Sequence, residues 1–293
     1  MKSNKKLELP RIGAHKSIAE SIDLAVDRGI KSSCECLQIF TRPPRRWAAG
    51  KNTLNPGSVS LFIEKAAQAG YYDLAVHMPY LPNLASPDDG IYARSLKVLE
   101  EEVQTLKSLN GLYLVSHMGS PKDRDSGFAA KRVANALNHV VENLDEKQMI
   151  LLENSTSKQK SWGKRTEDIE KILKLVTRSE KVGVCFDTAH AFSAGYDISV
   201  PEGLHEVFDI IESQIGKNKV KLVHLNDSKG SLGSGIDYHE HIGQGEIGIE
   251  CFRELMQNRR FKELPMILET PKDCDKGDEV NISLLKRLRA FLS

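Results

Sequence analysis

The loop DYHEHIGQG, from Asp237 to Gly245, packs an aspartate, two histidines and a glutamate into one short stretch before ending in glycines. Asp237 and His239 are two apart, so in an extended segment their side chains share a face. Other candidate donors stand far apart in the chain: His77, His117, Glu153, Asp187, His224 and Glu269, with His190 three residues beyond Asp187 in FDTAH. Imidazole nitrogen with carboxylate oxygen, and no thiolate, is a ligand set for zinc or manganese rather than calcium. Carboxylates crowded together without a counter-charge repel and take up protons, and divalent cations resolve that conflict. A mononuclear site takes three or four protein ligands. Nine candidates therefore point to two or three ions, with a carboxylate bridging a pair. His241 stands outside the nine, as an outer donor or a solvated bystander.

Such a set works only if the fold gathers it. Six of the donors lie at the ends of short β-rich runs: YDLAVH, LYLVSH, MILLEN, VGVCFD, VKLVHL and PMILET. RIGAH and CECLQIF precede them, with His15 ending the first and Gln38 near the end of the second. Between the runs lie amphipathic stretches at residues 17–29, 93–111, 128–144 and 166–179, with apolar residues recurring at three and four. Runs that are apolar at nearly every position suit strands buried on both faces. Eight such units predict an α/β fold, a (β/α)8 barrel forming a single domain over 1–293, with an open doubly wound sheet as the alternative. In a barrel all strand ends converge on one face, where active sites sit. The segment TRPPRRWAAGKNTLNPGS (41–58) reads as a loop with basic and aromatic content, with Trp47 packed against the barrel. Cys34 and Cys36 read as one face of the second strand.

Composition narrows the class. A net charge of +1 gives no global attraction to nucleic acid or membrane, so any such partner must meet a local patch. The N-terminus lacks the apolar run of a signal peptide, and no stretch of the chain is apolar enough to span a membrane. The expectation is a cytoplasmic protein, associated with the nucleoid if prokaryotic. Five scattered cysteines, at 34, 36, 185, 251 and 274, form no CxxC pair. That argues against a disulfide framework and against a cysteine-rich metal site.

From the GAH at Gly13 to the LET at Leu268, the chain closely resembles the endonuclease IV family of abasic-site repair enzymes. The resemblance rests on QIFT (38–41), HMPY (77–80), LLEN (151–154), FDTAHAFSAGYD (186–197), HLNDSKG (224–230) and DYHEHIGQG, in that order. It implies a barrel with three zinc ions and DNA-binding loops at the C-terminal face of the strands. Manganese is the alternative at some sites. Carried over by residue, the first zinc takes His77 and His117, and Glu153 bridges it to a second zinc that also takes Asp187, His224 and Glu269. The third takes His190, Asp237 and His239. The implied reaction is hydrolysis of the phosphodiester 5′ to an abasic site in double-stranded DNA, leaving a 3′ hydroxyl and a 5′ deoxyribose phosphate. Glu153 is the implied catalytic group, and the implied DNA contacts are Arg42, Tyr80 and Leu81. The protein is expected to act as a monomer.

Three places depart from the family pattern. HMGS (117–120) stands where His-Pro-Gly-Ser is usual, NSTSKQKS (154–161) replaces NTAGQG, and Tyr238 replaces the arginine of Asp-Arg-His. None removes a candidate metal ligand. Two rival readings remain on the same sequence: a sugar isomerase or epimerase, with one or two metals in a similar barrel, and a non-catalytic DNA binder that has lost the reaction.

Overall fold

The structure is a computed structural model that describes residues 9–47, 54–156, 161–272 and 277–290. Eight parallel strands close into a barrel: β1 (Arg11–Lys16), β2 (Leu37–Phe40), β3 (Leu74–His77), β4 (Tyr113–Ser116), β5 (Met149–Glu153), β6 (Val182–Asp187), β7 (Val220–Leu225) and β10 (Pro265–Leu268). Each strand pairs with its neighbours around the ring, and β10 closes it against β1. A separate two-stranded ribbon, β8 (Asp227–Ser228) antiparallel to β9 (His239–Glu240), stands beyond β7. The helices are α1 (Leu24–Lys31), α2 (Pro56–Ala69), α3 (Asp89–Ser108), α4 (Ser126–Val140), α5 (Thr166–Leu173), α6 (Thr188–Ala194), α7 (Pro201–Gln214), α8 (Ile249–Gln257) and α9 (Gly277–Arg289). This is the (β/α)8 barrel expected from the sequence, as a single domain. Among the described residues no helix is long and apolar enough to cross a membrane.

The larger core lies between strands and helices, and a smaller one fills the barrel. Cys36, Ala75, Val115, Leu151, Cys185, Leu222 and Ile267 form that inner layer, and all are fully buried. Gly13 supplies the eighth position. A Cβ there would lie 2.0 Å from the Cys36 carbonyl oxygen, so only glycine lets β1 approach the β2 segment this closely. Because strand side chains alternate with a period of two, the residues two further along also point inward. Those residues are His15, Gln38, His77, His117, Glu153, Asp187, His224 and Glu269. The inner layer is thus the floor on which the polar ring stands.

Three local expectations are corrected. Helix α1 begins at Leu24, not near Ser17, because Glu20 adopts a left-handed φ of 72° and the Arg28 guanidinium takes the Ser17 and Ala19 carbonyls. The end of the 41–58 segment is helical: Asn55 caps α2 by accepting from Ser58 N at 2.9 Å, with Pro56 at the first helical position. Cys34 lies in the turn before β2 and packs in the outer core, whereas Cys36 points into the barrel. Both are free thiols, as are buried Cys185 and Cys251; Cys274 lies outside the described residues. Burial pushes the Cys34 thiol up to about 11, which suits packing rather than nucleophilic chemistry.

Candidate metal centre

At the C-terminal mouth of the barrel, overlapping groups of donors come together. His77 Nε2 and His117 Nδ1 stand 3.1 and 3.3 Å from Glu153 Oε2. The other oxygen of Glu153 lies 3.1 Å from His224 Nδ1, which is also 3.5 Å from Glu269 and 3.8 Å from Asp187. Glu153 therefore faces two groups at once, His77–His117 on one side and Asp187–His224–Glu269 on the other. A third group forms where α6 meets the ribbon. His190 and His239 share it with Asp187, and Asp237 Oδ1 lies 3.2 Å from His190 Nε2 and 3.4 Å from His239 Nε2. All nine candidates from the sequence converge on this mouth. His77, Glu153, Asp187, His190 and His224 are buried, whereas Asp237 is exposed at the rim.

The hydrogen bonds around the histidines test whether these groups fit metal. His77 Nδ1 faces the Met78 carbonyl at 2.6 Å, His190 Nδ1 the Asn154 carbonyl at 2.9 Å and His239 Nδ1 the Glu269 carbonyl at 3.1 Å. His224 Nε2 faces Gln38 Oε1 at 2.9 Å. Each acceptor demands an N–H, which fixes the tautomer and leaves the other ring nitrogen with a bare lone pair. In the neutral rings those lone pairs point at carboxylates, and two sets of lone pairs repel unless a proton or a metal cation lies between them. His239 Nε2 is buried without a hydrogen-bond partner. Rings anchored from behind with their free nitrogens converging are what a metal with a supporting outer shell requires. The residues fit divalent metal.

Electrostatics of the protein groups agree. Burial opposes the charge of Glu153, yet His117 and His224 outweigh it and hold the carboxyl well below its ordinary range. Burial likewise opposes a charged His190, but Asp187, Asp237 and Glu153 hold it well above its usual value. The centre draws positive charge toward buried carboxylates.

Two asparagines and a glutamine, which sequence reasoning did not assign, organise the donors. Gln38 Nε2 donates to Glu269 Oε1 at 2.7 Å while its oxygen accepts from His224. Asn226 Nδ2 donates to Asp187 Oδ2 at 2.7 Å, and its oxygen accepts from Glu269 N at 2.9 Å. Asn154 pairs with both backbone groups of Asp187. His15 lies against Gln38 and Glu269, and His241 is tied to Asn281 outside the donor groups.

Comparison with known proteins gives the family. Residues 22–291 match the family model described as xylose isomerase-like TIM barrel. The "Probable endonuclease 4" of Methanoculleus marisnigri is 40% identical over 278 residues, covering 94% of this chain and 98% of that protein. The chain belongs to the endonuclease IV family. The crystal structure of endonuclease IV from Thermus thermophilus superposes with a TM-score of 0.83 at 30% identity, covering 96% of this chain and 100% of that one. A D-tagatose 3-epimerase-like protein, at 20% identity and a TM-score of 0.73, covers 96% of this chain and 98% of its own, and shares the fold alone.

In this endonuclease IV family member the donors open into two adjoining cavities of about 570 and 560 Å³, which share Tyr80, His117, His190 and Asp237. Tyr80 stands between them, 54% exposed, with its ring packed on Phe40, His77 and His117. Its amide donates to the Pro44 carbonyl, tying the loop after β3 to the loop after β2. Leu81 follows, half-buried in the same wall. Arg42 turns inward: it is 3% exposed, with its guanidinium between Glu102 and Glu101 and donating to the Trp47 carbonyl. Arg45, three residues on, is exposed and lines the cleft. Trp47 packs against the outer core beneath Arg94. One departure from the family pattern is accommodated by a glycine. Met118 is buried against Gly163, where a Cβ would lie 2.0 Å from the methionine methyl. Another cavity, of about 530 Å³, opens between Tyr113, Phe208 and Lys219 but contains none of the donors.

Proposed function

We propose that this protein is a zinc-dependent abasic-site endonuclease of base excision repair, hydrolysing the DNA phosphodiester 5′ to the lesion and leaving a 3′ hydroxyl and a 5′ deoxyribose phosphate. The observation that carries the reading is the carboxylate of Glu153, shared between two donor groups, with a third group alongside. Relatives called "Probable endonuclease 4" support a nucleic-acid substrate.

Three ions would be held here. His77, His117 and Glu153 would take the first, and Glu153, Asp187, His224 and Glu269 the second. His190, Asp237 and His239 would take the third. Nitrogen–oxygen donor sets favour zinc and tolerate manganese. When bound, the ions supply positive charge for a phosphodiester and acidify water for attack. Glu153 keeps its two oxygens directed to neighbouring groups and thereby fixes their spacing, which is its catalytic role in this reading. Gln38, Asn154 and Asn226 hold the ligands in one arrangement before substrate arrives.

Double-stranded DNA would lie across the cleft, bound by a monomer. Tyr80 and Leu81 would occupy the space left by the missing base, where extrusion costs least. Arg42, paired with Glu102 and donating to the Trp47 carbonyl, braces the loop after β2, and Arg45 on that loop would meet phosphate. Elemental analysis of purified protein tests the metal reading. Three zinc equivalents per chain, with incision lost on chelation and restored by zinc, would support it; an active protein indifferent to chelation would refute it.

A further inference from the structure

The ribbon that bears His239 is held by a carboxylate outside all three donor groups. Asp227 is fully buried, and among the described residues it forms no ion pair. Its charge is met by four backbone amides instead. Oδ1 accepts from Ser228 N at 2.8 Å and Ile247 N at 3.0 Å; Oδ2 accepts from Gly243 N at 2.9 Å and Gly245 N at 3.0 Å. An ionised carboxylate in such a nest binds its donors more strongly than a neutral acceptor does. The loop can wrap this tightly only because Gly243 adopts a φ of 75° and because a Cβ on Gly245 would fall 2.6 Å from Asp227 Oδ1 and 2.4 Å from the Ser228 carbonyl oxygen. The same short segment also pairs with β9: Ser228 lies opposite His239, and Lys229 N donates to the Tyr238 carbonyl at 2.9 Å. The Gly243–Ile247 turn is thus fastened at one side of β8, and the strand carrying His239 at the other.

We infer that Asp227 is the positioning residue for the third metal: its amide nest sets the place of the Asp237–His239 segment opposite His190. This rests on the proposed third site. It also gives the glycines of DYHEHIGQG a purpose, since they are the donors and the clearance of the nest.

Asp227→Asn tests the inference, because it keeps the volume but puts an NH2 against one pair of amide donors, either Ser228 and Ile247 or Gly243 and Gly245. Gly245→Ala attacks the same contact from the other side with Asp227 intact. Both full-length variants are expected to keep their circular dichroism and two zinc equivalents while losing the third. Amide exchange should rise by about tenfold or more at those amides among 243, 245 and 247 that lose their acceptor, with barrel-strand amides unchanged. A general loss of packing would instead release all metals together. Retention of three tightly bound zincs, unchanged exchange at those amides, or parallel loss of every metal and the fold in both variants overturns the inference. If the unsubstituted protein itself binds fewer than three zincs, the third-site reading fails first and this role falls with it.

Discussion

Gln38 accepts from His224 Nε2–H at 2.9 Å, so a glutamine on the second strand decides which nitrogen of a histidine on the seventh faces Glu153. Gln38→Met keeps most of the volume but removes that acceptor and the donor to Glu269. Metal affinity at the group containing His224 is expected to fall about 10- to 100-fold. Competition with a calibrated chelator measures it, and equal affinities in the two proteins would refute the assignment.

Glu153 serves two donor groups, so Glu153→Gln should damage both. Incision is expected to fall beyond the roughly 100-fold ceiling of outer-shell changes, with the number of tightly bound zincs reduced. Kinetics and elemental analysis on the same preparation check this. A variant with full metal content and near-normal rate would remove Glu153 from the centre.

The two arginines of the loop after β2 should separate cleanly. Arg42→Ala leaves Glu102 buried without its counter-charge and should cost about 3–5 kcal/mol of stability in a denaturant titration. Arg45→Ala should leave stability unchanged, weaken duplex binding and reduce its salt dependence by about one charge. Reversal of these two phenotypes would show that Arg42 is the phosphate contact.

Acid sensitivity away from the donor groups should trace to Asp278. Burial opposes its charge, but Lys272 and Lys16 outweigh this and hold the carboxyl below its ordinary range. Its contribution is fully present above the unfolded carboxylate pKa of about 3.9 and is lost as pH falls through the lower folded value. The melting-temperature gap between the parent and Asp278→Asn should be wide at pH 7 and close below that range. A gap that stays constant down to pH 3 would contradict the linkage.

The barrel and its six strand-end donors were legible because both follow a period of two. Each apolar strand puts one residue into the inner layer and the next inward residue at the mouth, so Leu151 predicts the place of Glu153 and Leu222 that of His224. What the sequence hid depended on partners distant in the chain. Nothing in RPPRR distinguishes Arg42 from Arg45, since Glu101 and Glu102 lie on α3. Gln38, Asn154 and Asn226 read as ordinary polar residues until Glu269, Asp187 and His190 arrive beside them. The start of α2 carried a local signal, Asn-Pro as cap and first helical residue, masked by the polar segment before it.

The central claim is tested most directly by incubating zinc-replete protein with a 5′-labelled duplex bearing one tetrahydrofuran abasic analogue. The account predicts a single cut immediately 5′ to the analogue, with a 3′ hydroxyl that a DNA polymerase extends. An intact duplex in the presence of protein carrying three zinc ions would contradict it.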